Sequence, residues 1–337
     1  MALRTKPRAA LVRASRIAGR AIALGRVEFD LARSRDGSAD LAVFHEFVPP
    51  PSGGGHQFLR ALVRELRARG LDVEENRISG GTRACLFNSF NFDVRRLRRF
   101  SGRGARMVHR VDGPIGTYRG FDDGTDGRIL AINRALAEAT VFQSRYSLEK
   151  HRELGLELVA PVVISNTVDP AIFHPPAHHD PPAGRRLRLV ATSWSDNPRK
   201  GAETLHWLDR HADLDRVEVT FVGRTQAALE RIRTIDPVDS ETLAEILRGQ
   251  DAYLAASQDD PCSNALLEAL ACGLPAAYRR SGGHPELVGE AGIGFDADDE
   301  LPAALDQLAS ELDTRRAAIR VPTLAEVADR YLKVLCG

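Results

Sequence analysis

Two acidic residues eight positions apart, Asp260 and Glu268, are the side chains of this sequence most suited to chemistry. Glu268 lies in a predicted helix, residues 265–272, whose apolar residues occupy nearly every side, so the helix should be buried. A buried carboxylate is costly unless it is paired or hydrogen-bonded, and a ligand could supply the partner. Taken alone, both acids could instead be structural, with Glu268 capping a backbone group and Asp260 ending a strand.

The loop formed by residues 260–263 leads into the start of that helix. The first N–H groups of a helix have no partner within it and can hold sugar hydroxyls or phosphate oxygens. A negatively charged ligand rich in hydroxyls would suit both this helix start and Glu268. Cys262 lies in the same loop, but no base neighbours it in the sequence, which favours an inert packing role over a nucleophile.

This region resembles the nucleotide-sugar site of the GT-B glycosyltransferases, specifically the retaining group known as family 4. The family has two glutamates eight positions apart, a run of small and apolar residues, and a Gly-Gly turn before a Pro-Glu pair; the matching residues are Glu268, Ala269, Ala271, Gly273, Pro275, Gly282, Gly283 and Glu286. The resemblance implies that Glu268 holds the ribose hydroxyls of the donor. It also implies donor contacts for Ser263, Asn264 and the Gly282-Gly283 turn, and a catalytic place beside the transferred sugar for Asp260. Asp260 is one methylene shorter than the glutamate of the family.

A second loop, residues 193–201, carries Lys200 and Gly201 after a predicted strand. In family 4 enzymes a Lys-Gly pair at this point places the lysine on the donor diphosphate, and the resemblance implies this role for Lys200. Many members have an arginine five residues earlier, where this chain has Ser195. We therefore expect Arg199 or Arg224 to supply a second cation, although either could be a solvated surface charge.

A glycine loop follows the first predicted strand, and Gly54 and Gly55 lead into a helix start, which is a generic cradle for an anion. Glu74 follows about 20 residues later, as in a dinucleotide site, but Phe58 occupies the place of the third glycine. In family 4 enzymes a similar loop lines the cleft near the donor phosphate and the acceptor. This second interpretation fits the rest of the chain better.

His109 and Asp112 lie at the carboxyl end of the fourth predicted strand, the end at which ligands bind in parallel sheets. Together they could orient an acceptor hydroxyl or act as a base. A histidine inside a strand is as often a core residue with satisfied hydrogen bonds, so both roles stay open for His109.

Strand and helix patterns alternate along the chain, which predicts parallel sheets covered by helices on both faces. We predict strands at residues 41–47, 73–78, 83–88, 106–111, 140–144, 161–165, 187–192, 217–222 and 252–256, and helices at residues 56–69, 94–100, 128–139, 147–154, 202–210, 241–248, 265–272 and 324–335. A proline-rich segment, residues 174–184, is typical of a linker.

The predicted fold is α/β, a GT-B architecture of two doubly wound, Rossmann-like domains that face each other across a cleft. Its parts are a basic extension (residues 1–38), an N-terminal acceptor domain (39–175), a linker (176–186) and a C-terminal nucleotide-sugar donor domain (187–320). The family resemblance adds a C-terminal helix (321–337) that crosses back to pack on the N-terminal domain.

The composition limits the classes of function. A length of 337 residues suits two domains, and 43% hydrophobic residues suffice for two cores. Lys+Arg 46 and Asp+Glu 46 give a formal net charge of +0, so no overall field attracts nucleic acid. The cysteines form no CxxC motif or Cys/His cluster, which fits free thiols in a reducing compartment.

The first 27 residues differ from the rest, because lysines and arginines are set among apolar residues and no acid precedes Glu28. Such a segment could lie on an anionic membrane as an amphipathic helix, form a poorly ordered arginine-rich tail, or act as an organelle transit peptide. No apolar run reaches the ~18 residues of a membrane span, and no signal-peptide core follows the start. We expect a cytoplasmic protein, with peripheral contact at the inner membrane surface if the segment binds lipid.

These features predict a retaining glycosyltransferase of the family 4 type, which moves a sugar from a nucleoside diphosphate to a hydroxyl of a glycan, a lipid-linked or a small-molecule acceptor. We expect no cofactor and no metal, because Lys200 and helix starts would offset the diphosphate charge. Asp-x-Asp pairs, the metal motif of another glycosyltransferase fold, occur at 213/215 and 296/298 but do not follow an early buried strand. The alternatives are a nucleotide-sugar epimerase and a catalytically silent subunit that binds a sugar nucleotide or glycan; Asp260 and Ser195 motivate the second.

Overall fold

The computed structural model describes residues 37–48, 54–179 and 184–337. Within these residues the chain forms two six-stranded sheets in which every strand pairing is parallel. Helices cover both faces of each sheet, which confirms the predicted α/β architecture of two doubly wound domains. No helix of the described part is long and apolar enough to cross a membrane. The basic extension, apart from residues 37 and 38, lies outside the described residues.

The N-terminal sheet has the strand order β2-β1-β3-β4-β5-β6. Its strands are Leu41–Phe44 (β1), Val73–Glu75 (β2), Ala84–Asn88 (β3), Arg106–Val111 (β4), Ala139–Phe142 (β5) and Pro161–Val163 (β6). The helices of this domain are Gly54–Ala68 (α1), Val94–Phe100 (α2), Ile115–Arg119 (α3), Thr125–Leu136 (α4) and Arg145–Glu153 (α5). The apolar side of α1 packs on one face of the sheet, and α2 and α4 cover the other.

The C-terminal sheet has the strand order β12-β11-β10-β7-β8-β9. Its strands are Leu187–Ser193 (β7), Val217–Gly223 (β8), Arg233–Ile235 (β9), Ala252–Ala255 (β10), Ala276–Arg279 (β11) and Gly292–Phe295 (β12). The helices are Ala202–His211 (α6), Ser240–Arg248 (α7), Asn264–Ala271 (α8), His284–Val288 (α9), Leu301–Ser310 (α10) and Leu312–Ala317 (α11). Two apolar clusters, one on each face of this sheet, form its core.

The last helix, Leu324–Cys336 (α12), returns to the N-terminal domain, as predicted. Thr323 caps it and forms a capping box with Glu326. Its apolar residues pack with α1 in the core of the first domain, where Tyr331 is fully buried. Arg69, just beyond the end of α1, holds the helix from outside through Asp329 (2.5 Å) and the Ala325 carbonyl (2.9 Å).

The chain therefore crosses between the domains twice, once after β6 and once before α12. The two crossings contact each other, because the Thr167 hydroxyl donates a hydrogen bond to the Pro322 carbonyl at 2.5 Å. The described part of the proline-rich segment, residues 174–179, contains no helix or strand.

Some predicted boundaries are wrong for local reasons. The strand predicted at residues 73–78 ends at Glu75, because Asn76 has a positive φ of 53° and turns the chain. Elements of three to five residues, such as β9 and α3, carry too few positions to show a periodicity. Helix α10 was also not predicted, although its buried residues follow helical spacing: Leu301, Ala304, Leu305 and Leu308.

The strand order reverses direction between β1 and β3 in the first sheet and between β7 and β10 in the second. Ligands of doubly wound sheets bind beyond the carboxyl ends of the strands at such switch points. Here the two switch points face each other, and the loops that follow these four strands border the same cleft.

Candidate functional site

The interdomain cleft contains two adjoining cavities, a larger cavity of about 550 Å³ and a smaller cavity of about 340 Å³. Both are bordered by Gly54 of α1, by the end of β7 and by Asn264 at the start of α8. Glu268 borders the larger cavity, whereas Asp260, Lys200 and the N-terminal strand ends border the smaller one. The two cavities thus form one bent cleft around the start of α8.

Glu268 occupies the middle of α8, as the sequence predicts, and its exposed fraction is 8%. Its carboxyl group accepts no hydrogen bond from the residues that the structure describes. Burial raises its pKa to about 8. The structural alternative, in which Glu268 caps a backbone group, is therefore not seen, and the carboxyl group is open to a ligand in the larger cavity.

The start of α8 is capped by Ser263, whose hydroxyl accepts a hydrogen bond from the Leu266 backbone N–H (3.3 Å). Ser263 and Asn264 border the smaller cavity beside this helix start, which agrees with a donor contact for both. Cys262 also borders the cavity, but burial raises the pKa of its thiol to about 12. A thiol with so high a pKa is a poor nucleophile, which favours the inert packing role.

Lys200 and Asp260 form an ion pair, with 2.6 Å between Lys200 Nζ and Asp260 Oδ2. Burial would lower the pKa of Lys200, but the Asp260 charge outweighs this effect and raises it. Burial would likewise raise the pKa of Asp260, and the Lys200 charge outweighs it and lowers that pKa. Both groups are therefore charged at neutral pH. The Lys200 ammonium also lies 5.5 Å from the centre of the Tyr118 ring.

The Gly282-Gly283 turn does not border either cavity, which corrects the predicted donor contact. It lies behind the loop that carries Asp260, and the Gly283 N–H donates to the Asp260 carbonyl at 2.8 Å. A Cβ at either glycine would collide with backbone atoms of Asp260 or Pro261. The family's glycine pair therefore serves here to let this backbone pass close to the Asp260 loop.

Neither predicted second cation reaches the cavities. Arg199 forms an ion pair with Asp259 instead. Arg224 is exposed and stacks on Trp194, with 4.7 Å between its guanidinium carbon and the ring centre. The surface-charge alternative is correct for Arg224, whereas Arg199 is a structural ion-pair partner at the edge of the site.

His109 is a core residue, which settles the alternatives left open by the sequence. It is fully buried, donates through Nε2 to the Ser89 carbonyl (2.8 Å) and accepts from the Asn133 amide at Nδ1 (3.1 Å). Burial lowers its pKa to about 4. Asp112 does border the smaller cavity, where its carboxylate accepts a hydrogen bond from Gln143.

Gly54 and Gly55 border the smaller cavity at the start of α1. A side chain at position 54 would collide with Asn264, so the glycine lets α1 approach α8 of the other domain. Glu74 does not act in a dinucleotide site, because its carboxylate is bound within a turn by Ser79 (N–H 2.6 Å) and Thr82 (hydroxyl 2.5 Å).

Several polar residues of the cleft were missed. They lie on the N-terminal side: His45, His56, Asn88, Asn91, Tyr118 and Gln143 border the smaller cavity, and Arg110 and Asn166 lie beneath it. The signal that could have found His45 and Asn88 is their position at the ends of β1 and β3, the two strands of the switch point.

The two Asp-x-Asp pairs lie away from the cavities. Asp298 pairs with Arg279 and Asp296 pairs with Arg280 (2.8 Å), while Asp213 accepts a hydrogen bond from the Asp215 N–H (3.0 Å). Among the described residues, no group of three or more His, Cys, Asp or Glu side chains is arranged to hold a metal ion.

Comparison with known proteins gives a family match for part of the chain and a likeness in fold for most of it. Residues 196–312 match the model of the family described as glycosyl transferases group 1. No curated protein matches the chain in sequence.

Three solved structures illustrate the likeness in fold. Anabaena HepE in complex with UDP is 15% identical with a TM-score of 0.63, over 88% of this chain and 98% of that one. The catalytic domain of Arabidopsis thaliana starch synthase IV, bound to ADP and acarbose, is 10% identical with a TM-score of 0.66, over 89% and 99%. Sucrose-phosphate synthase from Thermosynechococcus elongatus is 16% identical with a TM-score of 0.55, over 86% and 76%. These likenesses extend over both domains.

Proposed function

We propose that this chain is a GT-B glycosyltransferase that transfers a sugar, with retention, from a nucleoside diphosphate to an acceptor hydroxyl in glycan or glycolipid synthesis. The match of residues 196–312 to the glycosyl transferases group 1 family and the shared fold support this proposal. One observation carries the proposal. The charged pair Lys200 and Asp260 lies at the start of α8, and the unpartnered carboxyl group of Glu268 lies further along the same helix in the adjoining cavity.

The larger cavity takes the nucleoside. Glu268 has no hydrogen-bond partner among the described residues, and a carboxylate can accept from two neighbouring ribose hydroxyls at once. Ligand hydroxyls would replace the water that a charged carboxylate needs, which offsets the cost of its burial. HepE is described with UDP and starch synthase IV with ADP, so the fold accommodates nucleoside diphosphates with either base.

The smaller cavity takes the diphosphate and the transferred sugar. The start of α8 favours negative charge, and Lys200 supplies an ammonium group to the same cavity. When the bond between the anomeric carbon and the phosphate oxygen breaks, charge develops on that oxygen, and Lys200 and the helix start stabilise it. These groups offset the diphosphate charge without a metal ion, so we propose that the enzyme needs no metal and no cofactor.

The acceptor binds from the N-terminal side of the smaller cavity. Asp112 is the carboxylate on that side, and we propose that it orients the acceptor hydroxyl and takes its proton as the new bond forms on the face of the anomeric carbon that the diphosphate leaves, which retains the configuration. Asp260 lies on the opposite side, held by Lys200, and contacts the transferred sugar. The acceptor is a glycan, a lipid-linked sugar or a small polyol.

Donor turnover in wild-type protein and in two Asp260 variants tests this function. Asp260→Asn keeps the size but removes the ion pair with Lys200, so transfer and donor hydrolysis should both be lost. Asp260→Glu adds one methylene beside a closely packed glycine turn and should reduce activity, although glutamate is the family's residue. A wild-type protein that binds donor but never turns it over would overturn the enzymatic role and favour the silent binding subunit.

A further inference from the structure

Arg110 is a fully buried cation beneath the smaller cavity, which it does not border. Its guanidinium donates hydrogen bonds to the side-chain oxygens of Asn88 and Asn166 (2.8 Å to Asn166). It lies 5.0 Å from the centre of the Phe58 ring and 3.4 Å from Asp112 Oδ1. A buried charge is costly unless it is hydrogen-bonded, and these polar partners offset the cost of burying Arg110.

A guanidinium has only donors. Asn88 and Asn166 must therefore present their oxygens to Arg110, and their NH₂ groups must point away from it. The orientation of both amides, which either end could otherwise satisfy, is fixed by one cation.

The fixed orientation of the Asn166 amide determines its hydrogen bonds on both sides of the cleft. Its NH₂ group donates to Gln143 Oε1 (2.9 Å) and to Asn264 Oδ1 (3.0 Å) at the start of α8. Because the Gln143 oxygen is used in this way, its NH₂ group is turned toward Asp112 and donates to that carboxylate. Asp112 is thus supplied with hydrogen-bond donors and acts as an acceptor.

The fixed orientation of the Asn88 amide determines the tautomers of two histidines. Its NH₂ group lies 3.3 Å from His45 Nδ1, which must therefore accept. Burial lowers the pKa of His45 to about 3, so its ring is neutral and carries its one proton on Nε2. That proton is donated to His56 Nδ1 at 2.7 Å, which leaves the proton of a neutral His56 on its own Nε2.

We propose that Arg110 is a positioning residue that sets the hydrogen-bond direction of the whole acceptor side of the cleft. Through two amides it fixes Asp112 as an acceptor, fixes the tautomers of His45 and His56, and connects this side to Asn264 of the donor domain. This inference rests on the proposed function, since it assigns to the smaller cavity an acceptor alcohol whose hydroxyls match that fixed pattern.

The test uses full-length Arg110→Lys, with Arg106→Lys as the matched control. Arg106 lies in the same strand but donates to the Val334 carbonyl of α12, away from the cleft. An ammonium cannot span both amides as the planar guanidinium does. The acceptor KM of Arg110→Lys should rise about 10-fold or more, as expected for the loss of a hydrogen bond from a charged group, with the nucleotide Kd within about twofold of wild type. The control should match wild type, and an unchanged acceptor KM in folded Arg110→Lys would overturn the proposal.

Nitrogen-15 NMR of the histidine rings provides a second readout that needs neither donor nor acceptor. Wild-type His45 and His56 should both show the tautomer protonated at Nε2, and Arg110→Lys should change the His45 signals. If Arg110→Lys does not fold, Asn88→Asp replaces it, because the introduced carboxylate would still accept from Arg110 but has no NH₂ group for His45. Wild-type rings with the proton on Nδ1, or a His45 signal unchanged in these variants, would overturn the proposal. If the tautomers are as expected but the wild type transfers no sugar, the proposed function fails while the hydrogen-bond network stands.

Discussion

Glu268, which is buried, and Lys200, which is partly buried, are in opposite electrostatic situations in the free protein. Glu268 has no ionic partner among the described residues, and its raised pKa favours the neutral acid. Lys200 has a partner, Asp260, at 2.6 Å and keeps its charge. In the proposed donor complex the first group gains a partner when the nucleotide binds, whereas the second has to share its charge between Asp260 and the diphosphate.

Glu268→Gln should weaken nucleotide binding and raise the stability of the folded protein. Its folded-state pKa lies near 8 and its ordinary value is 4.5, so the neutral carboxyl group costs little below pH 4.5, and wild-type stability falls as the pH rises through about 8. The variant lacks this cost, and its thermal midpoint should exceed the wild-type value by an amount that grows from pH 5 to about pH 8 and then levels off. Calorimetry should show a nucleotide affinity at least about 10-fold weaker, since charge-assisted hydrogen bonds contribute roughly 1.5–3 kcal/mol each.

Glu245→Gln, on the exposed side of α7, is the control for this change and should alter neither quantity. A folded Glu268→Gln protein with wild-type nucleotide affinity would contradict the assignment of the ribose site.

Lys200→Ala should lower kcat far more than Arg199→Ala does. If Lys200 stabilises the departing diphosphate, its loss should lower kcat roughly 10²–10³-fold, as for other preorganised electrostatic groups. Arg199 is held by Asp259 at the edge of the site, so its replacement should cost much less. Single-turnover rates with saturating donor measure both effects. Small and equal losses would mean that the phosphate is held by other groups.

The sequence locates the site better on the donor side than on the acceptor side. Asp260, Glu268 and Lys200 were predicted because loop and helix positions carried a family pattern. The role of His109 stayed open and Arg110 was missed, because neighbours in a strand point to opposite faces of the sheet and β4 is buried on both faces. A strand of this kind gives no alternation of apolar and polar residues from which its ligand-facing side could be read.

Helix α5 is tied to the opposite domain at its first turn. The Glu286 carboxylate of α9 accepts hydrogen bonds from the backbone N–H groups of Arg145 (2.8 Å) and Tyr146 (2.7 Å). The Tyr146 hydroxyl donates to Asp259 at 2.7 Å, next to the loop of Asp260. Asp259 itself has a positive φ of 52°, which is unfavourable for a residue with a side chain. These contacts hold the cleft in the arrangement described.

Glu286→Gln should loosen this contact, because an amide offers one acceptor oxygen where the carboxylate offers two and carries no charge for the helix dipole. We expect a larger radius of gyration in solution scattering and a kcat lower by about 3- to 10-fold, the range that corresponds to roughly 0.5–1.5 kcal/mol at a helix start. Glu290→Gln, at an exposed position beyond the same helix, should match wild type. A wild-type radius and kcat in Glu286→Gln would show that the contact does not control closure.

At the scale of elements, the alternation of strands and helices was predictable because each strand of a covered parallel sheet is an apolar run. The contact between α5 and α9 was not, because a glutamate that caps a helix far along the chain leaves no local pattern. Glu286 matched the family motif in sequence, yet its partners become visible only when the two domains are placed together.

The basic extension is the part of the whole molecule whose charge departs from the neutral average, and most of it lies outside the described residues. If it lies on lipid, the full chain should bind anionic vesicles at low salt and dissociate from them as the salt concentration rises. Each Lys or Arg near such a surface contributes only about 1 kcal/mol, and salt screens this attraction. Deleting residues 1–27 should abolish binding and keep transfer to soluble acceptors. Cosedimentation with anionic and neutral vesicles measures this binding. Failure of the intact protein to bind anionic vesicles at low salt would rule out a membrane role.

The position of α12 has a consequence for how the protein is made. The strands and helices of the C-terminal domain are all complete by Ala317, but the core of the N-terminal domain lacks Tyr331 and its neighbours until the last residues have been translated. Although domains usually fold in the order of synthesis, here the first domain to leave the ribosome is the last that can close its core. A premature stop codon just before α12 would therefore damage the domain that was made first and leave the one beside it intact.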